Sequence, residues 1–291
     1  MNESVLSAGV RASRLEYLHA CPICSHTDLS HYCRAPSLFN EGEFIRYERC
    51  GACGTVLRNP RLPGDYRLSR YEEQILPAAR KELMPKLQVH YAFMMQVLGQ
   101  LVSNESGRRL LDFGCGAGGF LCEARNAGFE AMGLELNRDL ARHVREVLGI
   151  PTFQGLISDS AFSDERFNVI ISSQVFEHLL DPRETLMELR RHLIDPGIVL
   201  IEVPNLLDTR ERLRRGSRMD DSHLFYFSAR SLSRMFVDCG FRVLKVHQGL
   251  RPYRFFSSYA NRIPTKLLEA GERMMSSLQI RTGLSVIARR S

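Results

Sequence analysis

An apolar run that breaks into glycines, Leu110-Leu-Asp-Phe-Gly-Cys-Gly-Ala-Gly-Gly-Phe120, limits the folds open to this chain more than any other stretch. Glycines accept positive φ and put no Cβ between the backbone and a ligand, so the run reads as a strand, a tight loop and the start of a helix. Such a unit calls for a sheet on which the loop is mounted. Past Gly107 the pattern supplies one. Arg109 to Phe113, Ala131 to Glu135, Thr152 to Gln154, Asn168 to Ser173, Ile198 to Val203, Phe241 to His247 and Leu284 to Arg289 read as strands. Between them, Gly118 to Ala127, Arg138 to Val147, Pro182 to His192 and Ala229 to Cys239 read as helices. The expectation is an α/β fold: a Rossmann-like, doubly wound, mostly parallel seven-stranded sheet.

Two cofactors compete for the glycine loop. Gly114, Gly116 and Gly119 satisfy the dinucleotide spacing GxGxxG, and Glu135 ends the second strand, where the ribose of either cofactor would be held. Asp112 separates them. A buried carboxylate ahead of the loop repels a pyrophosphate and suits the cationic methionine end of S-adenosylmethionine (SAM). SAM is the expected cofactor, ahead of NAD and ahead of a turn that merely packs helix on sheet.

Upstream, Cys21-Pro-Ile-Cys24 and Cys50-Gly-Ala-Cys53 offer four thiolates, a number and softness that suit tetrahedral Zn²⁺. Four protein ligands leave no position for a substrate, so this metal would be structural. The region from Cys21 to Leu62 has no helical period long enough to build a core and needs such a staple. Cys33, His26 and His31 are weaker substitutes for a ligand. Eight cysteines in all, four of them scattered, read as metal ligands plus buried thiols rather than a disulfide framework.

The expected organisation is a tail over 1–20, a zinc-ribbon module over 21–62, a helical connector or cap over 63–106 and a SAM-binding domain over 107–291. Leu83, Leu87, Tyr91, Met94, Leu98 and Leu101 recur at helical spacing in the connector. Pro264 to Leu278 reads as a helical insertion. The leading residues lack an apolar signal core and no stretch reaches the length of a membrane span, which gives a cytoplasmic expectation. A net charge of +6 suits an anionic small-molecule substrate without calling for nucleic acid. The oligomeric state is open.

The chain resembles the class I SAM-dependent methyltransferases. The resemblance lies in Leu111-Asp112-Phe-Gly114-Cys-Gly116-Ala-Gly118, in Glu135, in Gln174-Val-Phe-Glu177-His178-Leu179, in Pro196-Gly197, in Glu202-Val-Pro204-Asn205 and in His223-Leu-Phe-Tyr-Phe-Ser228. The first half is similar to the zinc-ribbon subset of that family, where Asn59-Pro60-Arg61 and a tyrosine-bearing helix with Tyr66 and Tyr71 follow the knuckles. The resemblance implies methylation of a small molecule, such as a sugar or nucleotide-linked sugar of a glycan or natural-product pathway. It assigns cofactor contacts to Asp112, Gly114, Cys115, Gly116, Gly118, Glu135, Leu136, Gly155, Leu156 and Gln174, and the metal to Cys21, Cys24, Cys50 and Cys53. Three positions depart from the pattern: Asn168 where an aspartate is usual, Ile198 where a glycine is usual, and Leu156-Ile157 where many relatives have an acid near the adenine.

For chemistry, His178 follows the fourth strand at the ligand-binding edge of the sheet, and His223 follows an arginine-rich stretch, Arg210 to Arg218, that could clamp a phosphate. Both histidines titrate near neutral pH and are the catalytic candidates; helix capping or buried hydrogen bonding would equally explain them. Two other readings stay open: a ribosomal-RNA methyltransferase, and a noncatalytic SAM-binding protein whose ribbon docks a partner.

Overall fold

The computed structural model describes residues 15–37, 42–62, 90–92, 94–99, 101–102, 108–159, 162–206, 222–249 and 283–291. The arginine-rich stretch, the helix expected over Pro264 to Leu278 and most of the connector lie outside the described residues.

A seven-stranded sheet carries the larger part of the fold, in the order β10-β11-β8-β7-β4-β5-β6. Its strands are β4 (Arg109–Phe113), β5 (Glu130–Glu135), β6 (Thr152–Gln154), β7 (Phe167–Ser173), β8 (Leu193–Pro204), β10 (Phe241–Gly249) and β11 (Gly283–Arg290). The strands from β8 to β6 run parallel, and β11 is antiparallel to both of its neighbours. Parallel strands are covered on both faces and therefore carry apolar residues on both. Leu111 and Phe113 of β4 point into one core, and Leu110 points into the other.

Among the described residues the core domain has helices α1 (Gly119–Asn126), α2 (Arg138–Glu146), α3 (Pro182–Arg191) and α4 (Ala229–Asp238), of which α1 starts from Gly118 without a side-chain cap and the other three start where the sequence supplies one. Asn137 accepts from the Leu140 amide, Asp181 accepts from the Glu184 amide ahead of Pro182, and Ser228 and Ser231 form a capping box. Leu186, Leu189, Leu232, Met235 and Phe236 of α3 and α4 pack on the first face. Phe120, Leu121 and Ala124 of α1 pack on the second, with Val144 of α2 and with Met94, Met95 and Leu98 from the helical residues of the connector.

The cysteine region forms a second sheet of β1 (Leu29–Pro36), β2 (Phe44–Cys50), β3 (Val56–Arg58) and β9 (Phe225–Tyr226). The fourth of these strands comes from the core domain: Val56 pairs with Tyr226 and Leu57 with Phe225. Cys21, Ile23, Cys50, Cys53 and Leu57 also belong to the core on the α3 and α4 face of the large sheet. The cysteine module is therefore joined to the core domain by a shared strand and a shared core.

Candidate functional site

Strand order reverses between β4 and β7, the place where open α/β sheets form a ligand crevice beyond their carboxyl ends. The two loops that leave these strands meet there. Gly114 sits at φ 78°, and a Cβ built on it would lie 2.4 Å from Cγ2 of Val175. Gly116 and Gly118 also have positive φ, so the loop takes a path that other residues would resist. Gln174, directly after β7, holds φ 61° without being glycine, a strained conformation of the kind found at ligand sites. Its amide donates to the Glu202 carbonyl at 2.9 Å.

Asp112 is 5% exposed and, among the described residues, receives no hydrogen bond. Burial, and secondarily the Glu135 carboxylate, push its carboxyl up to about 8. A carboxyl so placed beside an open glycine loop fits a ligand that brings positive charge to it. Glu135 crosses the mouth of the loop: its oxygens accept from the Gly116 amide at 2.8 Å and the Asn137 amide at 2.9 Å. Each oxygen retains a lone pair for a ribose hydroxyl. Cys115 is buried, its thiol pushed well up by burial and then by Asp112 and Glu135. It lies against Gly133, where a Cβ would meet its Sγ at 2.7 Å, so this thiol packs the loop.

Leu136 is half-buried immediately after Glu135. Gly155 donates its amide to the Glu135 carbonyl at 3.1 Å, and Leu156 is 40% exposed on the same rim. Ile157 turns into the core. Two residues beyond Ile157, Asp159 accepts from the Leu156 amide at 2.8 Å. Of the other departures, Asn168 accepts from the Arg109 amide at 3.1 Å and ties β7 to β4, and Ile198 is buried in β8.

The two catalytic candidates come together although they lie 45 positions apart in the sequence. The rings of His178 and His223 stand 4.7 Å apart, edge to face. His178 is in a single 3₁₀ turn, Phe176–His178, and its Nδ1 lies 3.1 Å from the Ser222 carbonyl. Glu177 of the same turn is completely buried, with Oε1 3.9 Å from His178 Nε2. Glu177 comes within 4.8 Å of both histidines through the return of the chain at Ser222, a proximity no local signal in the sequence gives. One residue, Leu224, links this site to the small sheet. Its amide donates to the Glu177 carbonyl at 2.7 Å and its carbonyl accepts from Arg58 of β3 at 2.8 Å. His223 also contacts Tyr226 of β9, which in turn contacts the buried Tyr47 of β2.

A second polar cluster was not anticipated. His90 Nε2 lies 2.7 Å from Glu202 Oε2, and the Ser173 hydroxyl donates to the same oxygen at 2.9 Å. Both partners of the His–Glu contact are buried. His247 of β10 titrates below its ordinary range because of burial and then Lys245, with Glu202 opposing the shift. Three strands and the connector helix thus converge at the carboxyl end of the sheet. Nothing local in the sequence marks the contact, since His90 and Glu202 are 112 residues apart.

The four knuckle cysteines are free and gathered. Cys21 and Cys53 have sulfurs 3.7 Å apart, Cys24 and Cys50 3.6 Å, and all four lie within 4.8 Å of one another. A tetrahedral ion with metal–sulfur bonds of about 2.3 Å separates its sulfurs by about 3.8 Å, so the donor set and its spacing fit Zn²⁺. Hydrogen bonding within the first pair pushes the Cys21 thiol up and holds Cys53 down at about 4; the thiolate is the metal-binding form.

A family model described as a methyltransferase domain matches residues 87–246. Among curated proteins, the chain is similar to a ubiquinone biosynthesis O-methyltransferase of Methylococcus capsulatus, 36% identical over 100 residues that cover 32% of this chain and 41% of the relative. It is similar to the C-methyltransferase NovU of Streptomyces niveus, 27% identical over 165 residues covering 54% of this chain and 38% of the relative. The chain thus spans about two fifths of the length of these curated relatives. Its fold is similar to that of a solved SAM-dependent methyltransferase of Thermotoga maritima, described as a possible histamine N-methyltransferase. The TM-score is 0.52 at 15% identity, covering 77% of this chain and 100% of the other.

Proposed function

The chain belongs to the methyltransferase-domain family, and from that premise we propose that it moves the methyl group of SAM to a small-molecule acceptor bound in the cleft between the glycine loop and the His178–His223 pair. The observation that carries this reading is Asp112: a buried carboxyl, raised to about 8, at the base of a glycine loop whose other side is lined by the Glu135 carboxylate. In this reading Asp112 faces the methionine end of SAM, Glu135 and Leu136 hold the ribose, and Gly155, Leu156 and Asp159 border the adenine. Gly114, Cys115, Gly116, Gly118 and Gln174 shape the loops around it.

SAM supplies an activated methyl on a sulfonium, so alignment of the acceptor delivers much of the rate. His178 and His223 line the acceptor side, backed by the buried Glu177, and manage the acceptor's proton, a contribution of roughly 10²- to 10⁴-fold where the acceptor is a hydroxyl or an acidic carbon. The cysteine module, read as a zinc-ribbon domain, holds β9 and thereby His223. The acceptor class we favour is a sugar or nucleotide-linked sugar. The net charge of +6 favours an anionic form, and the ubiquinone-biosynthesis activity named for one curated relative supports a small-molecule acceptor. Release of S-adenosylhomocysteine on incubation with SAM and a panel of nucleoside-diphosphate sugars tests this. Turnover with a member of the panel is expected; turnover only with structured RNA would replace the acceptor class.

A further inference from the structure

We infer that Glu177, His178 and His223 form a nitrogen–oxygen site for a first-row divalent cation, separate from the cysteine cluster; the inference rests on the reading of this cleft as the acceptor pocket. One ligand atom from each of the three residues lies within 4.8 Å of the others. The Ser222 carbonyl can only accept, so the contact at 3.1 Å places a proton on His178 Nδ1. His178 Nε2 lies 3.9 Å from Glu177 Oε1. That distance is too long for a hydrogen bond between them. Two ligands bound at roughly 2.1 Å to one ion stand roughly 3 to 4.2 Å apart, depending on the angle at the metal. The observed spacing falls in that range. A backbone carbonyl holding the distal nitrogen is also the usual support of a metal-bound histidine.

The ligands are held from behind. Glu177 is completely buried and its carbonyl is fixed by the Leu224 amide, while Leu224 is fixed by Arg58 of the cysteine module. Two imidazoles and one carboxylate favour Zn²⁺, Mn²⁺ or Fe²⁺ over the all-oxygen preference of Mg²⁺ and Ca²⁺. Three protein ligands leave positions for an acceptor oxygen, which would lose its proton to solvent at a lower pH when bound there.

Mn²⁺ is the discriminating probe, because a four-thiolate cluster is a poor host for it. The experiment is a Mn²⁺ titration of the full chain followed by electron paramagnetic resonance, on wild type, Glu177→Gln and His223→Ala. Co²⁺–thiolate absorption of the cysteine cluster and SAM affinity monitor folding. The expected result is one Mn²⁺ per wild-type chain, at least tenfold weaker in both variants, with the cobalt spectrum and SAM affinity unchanged. Absence of Mn²⁺ and Zn²⁺ binding beyond the cysteine cluster, or binding that neither variant weakens, overturns the site. Turnover on the accepted nucleotide sugar separates the two readings. Loss of turnover in the variants with no ion in wild type overturns the cation and keeps the pocket; a bound ion with undiminished turnover in both variants keeps the cation and moves the acceptor elsewhere.

Discussion

In the proposed reading, Asp112 couples SAM binding to pH. Its folded-state carboxyl titrates near 8 against about 4 when unfolded, so between these values the native state holds a proton that the unfolded state has lost. Stability contributed by this group is therefore greatest below about pH 4 and falls as pH rises toward 8. Asp112→Asn removes the buried charge, and its thermal midpoint should exceed that of wild type by more at about pH 8 than at about pH 5, as scanning calorimetry would show. The same variant should bind SAM at least tenfold more weakly. In wild type a cationic ligand displaces the proton, so calorimetric titrations near neutral pH in buffers of different ionisation enthalpy should report proton release on SAM binding. Gly114 gives a steric counterpart. Alanine there meets Val175 at 2.4 Å at a φ of 78°, and Gly114→Ala should cost about 1 to 3 kcal/mol of stability by chemical denaturation, together with the SAM site. The residues proposed to line the cofactor cleft follow one another along a strand and a loop, so the sequence alone could offer them as candidates. It could not offer Glu177, Asp159 and the His90–Glu202 contact, because each gains its meaning from a partner that only the folded chain brings near.

At the scale of elements, β9 is the most informative piece of the fold. It is two residues long, follows His223, and completes a sheet whose other strands belong to the cysteine module. Its length hides it from any period-based reading, which needs several alternating residues to identify a strand. The consequence is a division of labour that metal removal can expose. In the proposed reading, stripping the knuckle cysteines of Zn²⁺ with a chelator should loosen β3 and β9 and lower turnover at least tenfold, while SAM affinity, assigned to the loops after β4 and β5, changes less than threefold. Equal loss of both would make the module a general stabiliser. The His90–Glu202 contact ties the connector helix to the end of β8. Glu202→Gln leaves its buried partners poorly matched and should destabilise by about 1 to 3 kcal/mol in denaturant titrations.

Across the whole molecule, the large sheet, the order of its helices and the two cysteine knuckles could be read from periodicity, glycine placement and spacing, because each is a local or repeating signal. The junction between the two sheets could not. It depends on β9 pairing with β3, on Leu224 bonding to both Glu177 and Arg58, and on the knuckle cysteines sharing a core with α3 and α4. The account in which this junction matters stands on a prior one, that the cleft where β4 and β7 part holds SAM. Calorimetric titration of the metal-loaded chain with SAM and with NADH, on wild type, Asp112→Ala and Glu135→Ala, tests it most directly. The account predicts micromolar SAM binding, about −8 kcal/mol, that both substitutions abolish, and no heat with NADH. Binding of NADH, or folded metal-loaded protein that binds no adenosyl compound, would contradict it.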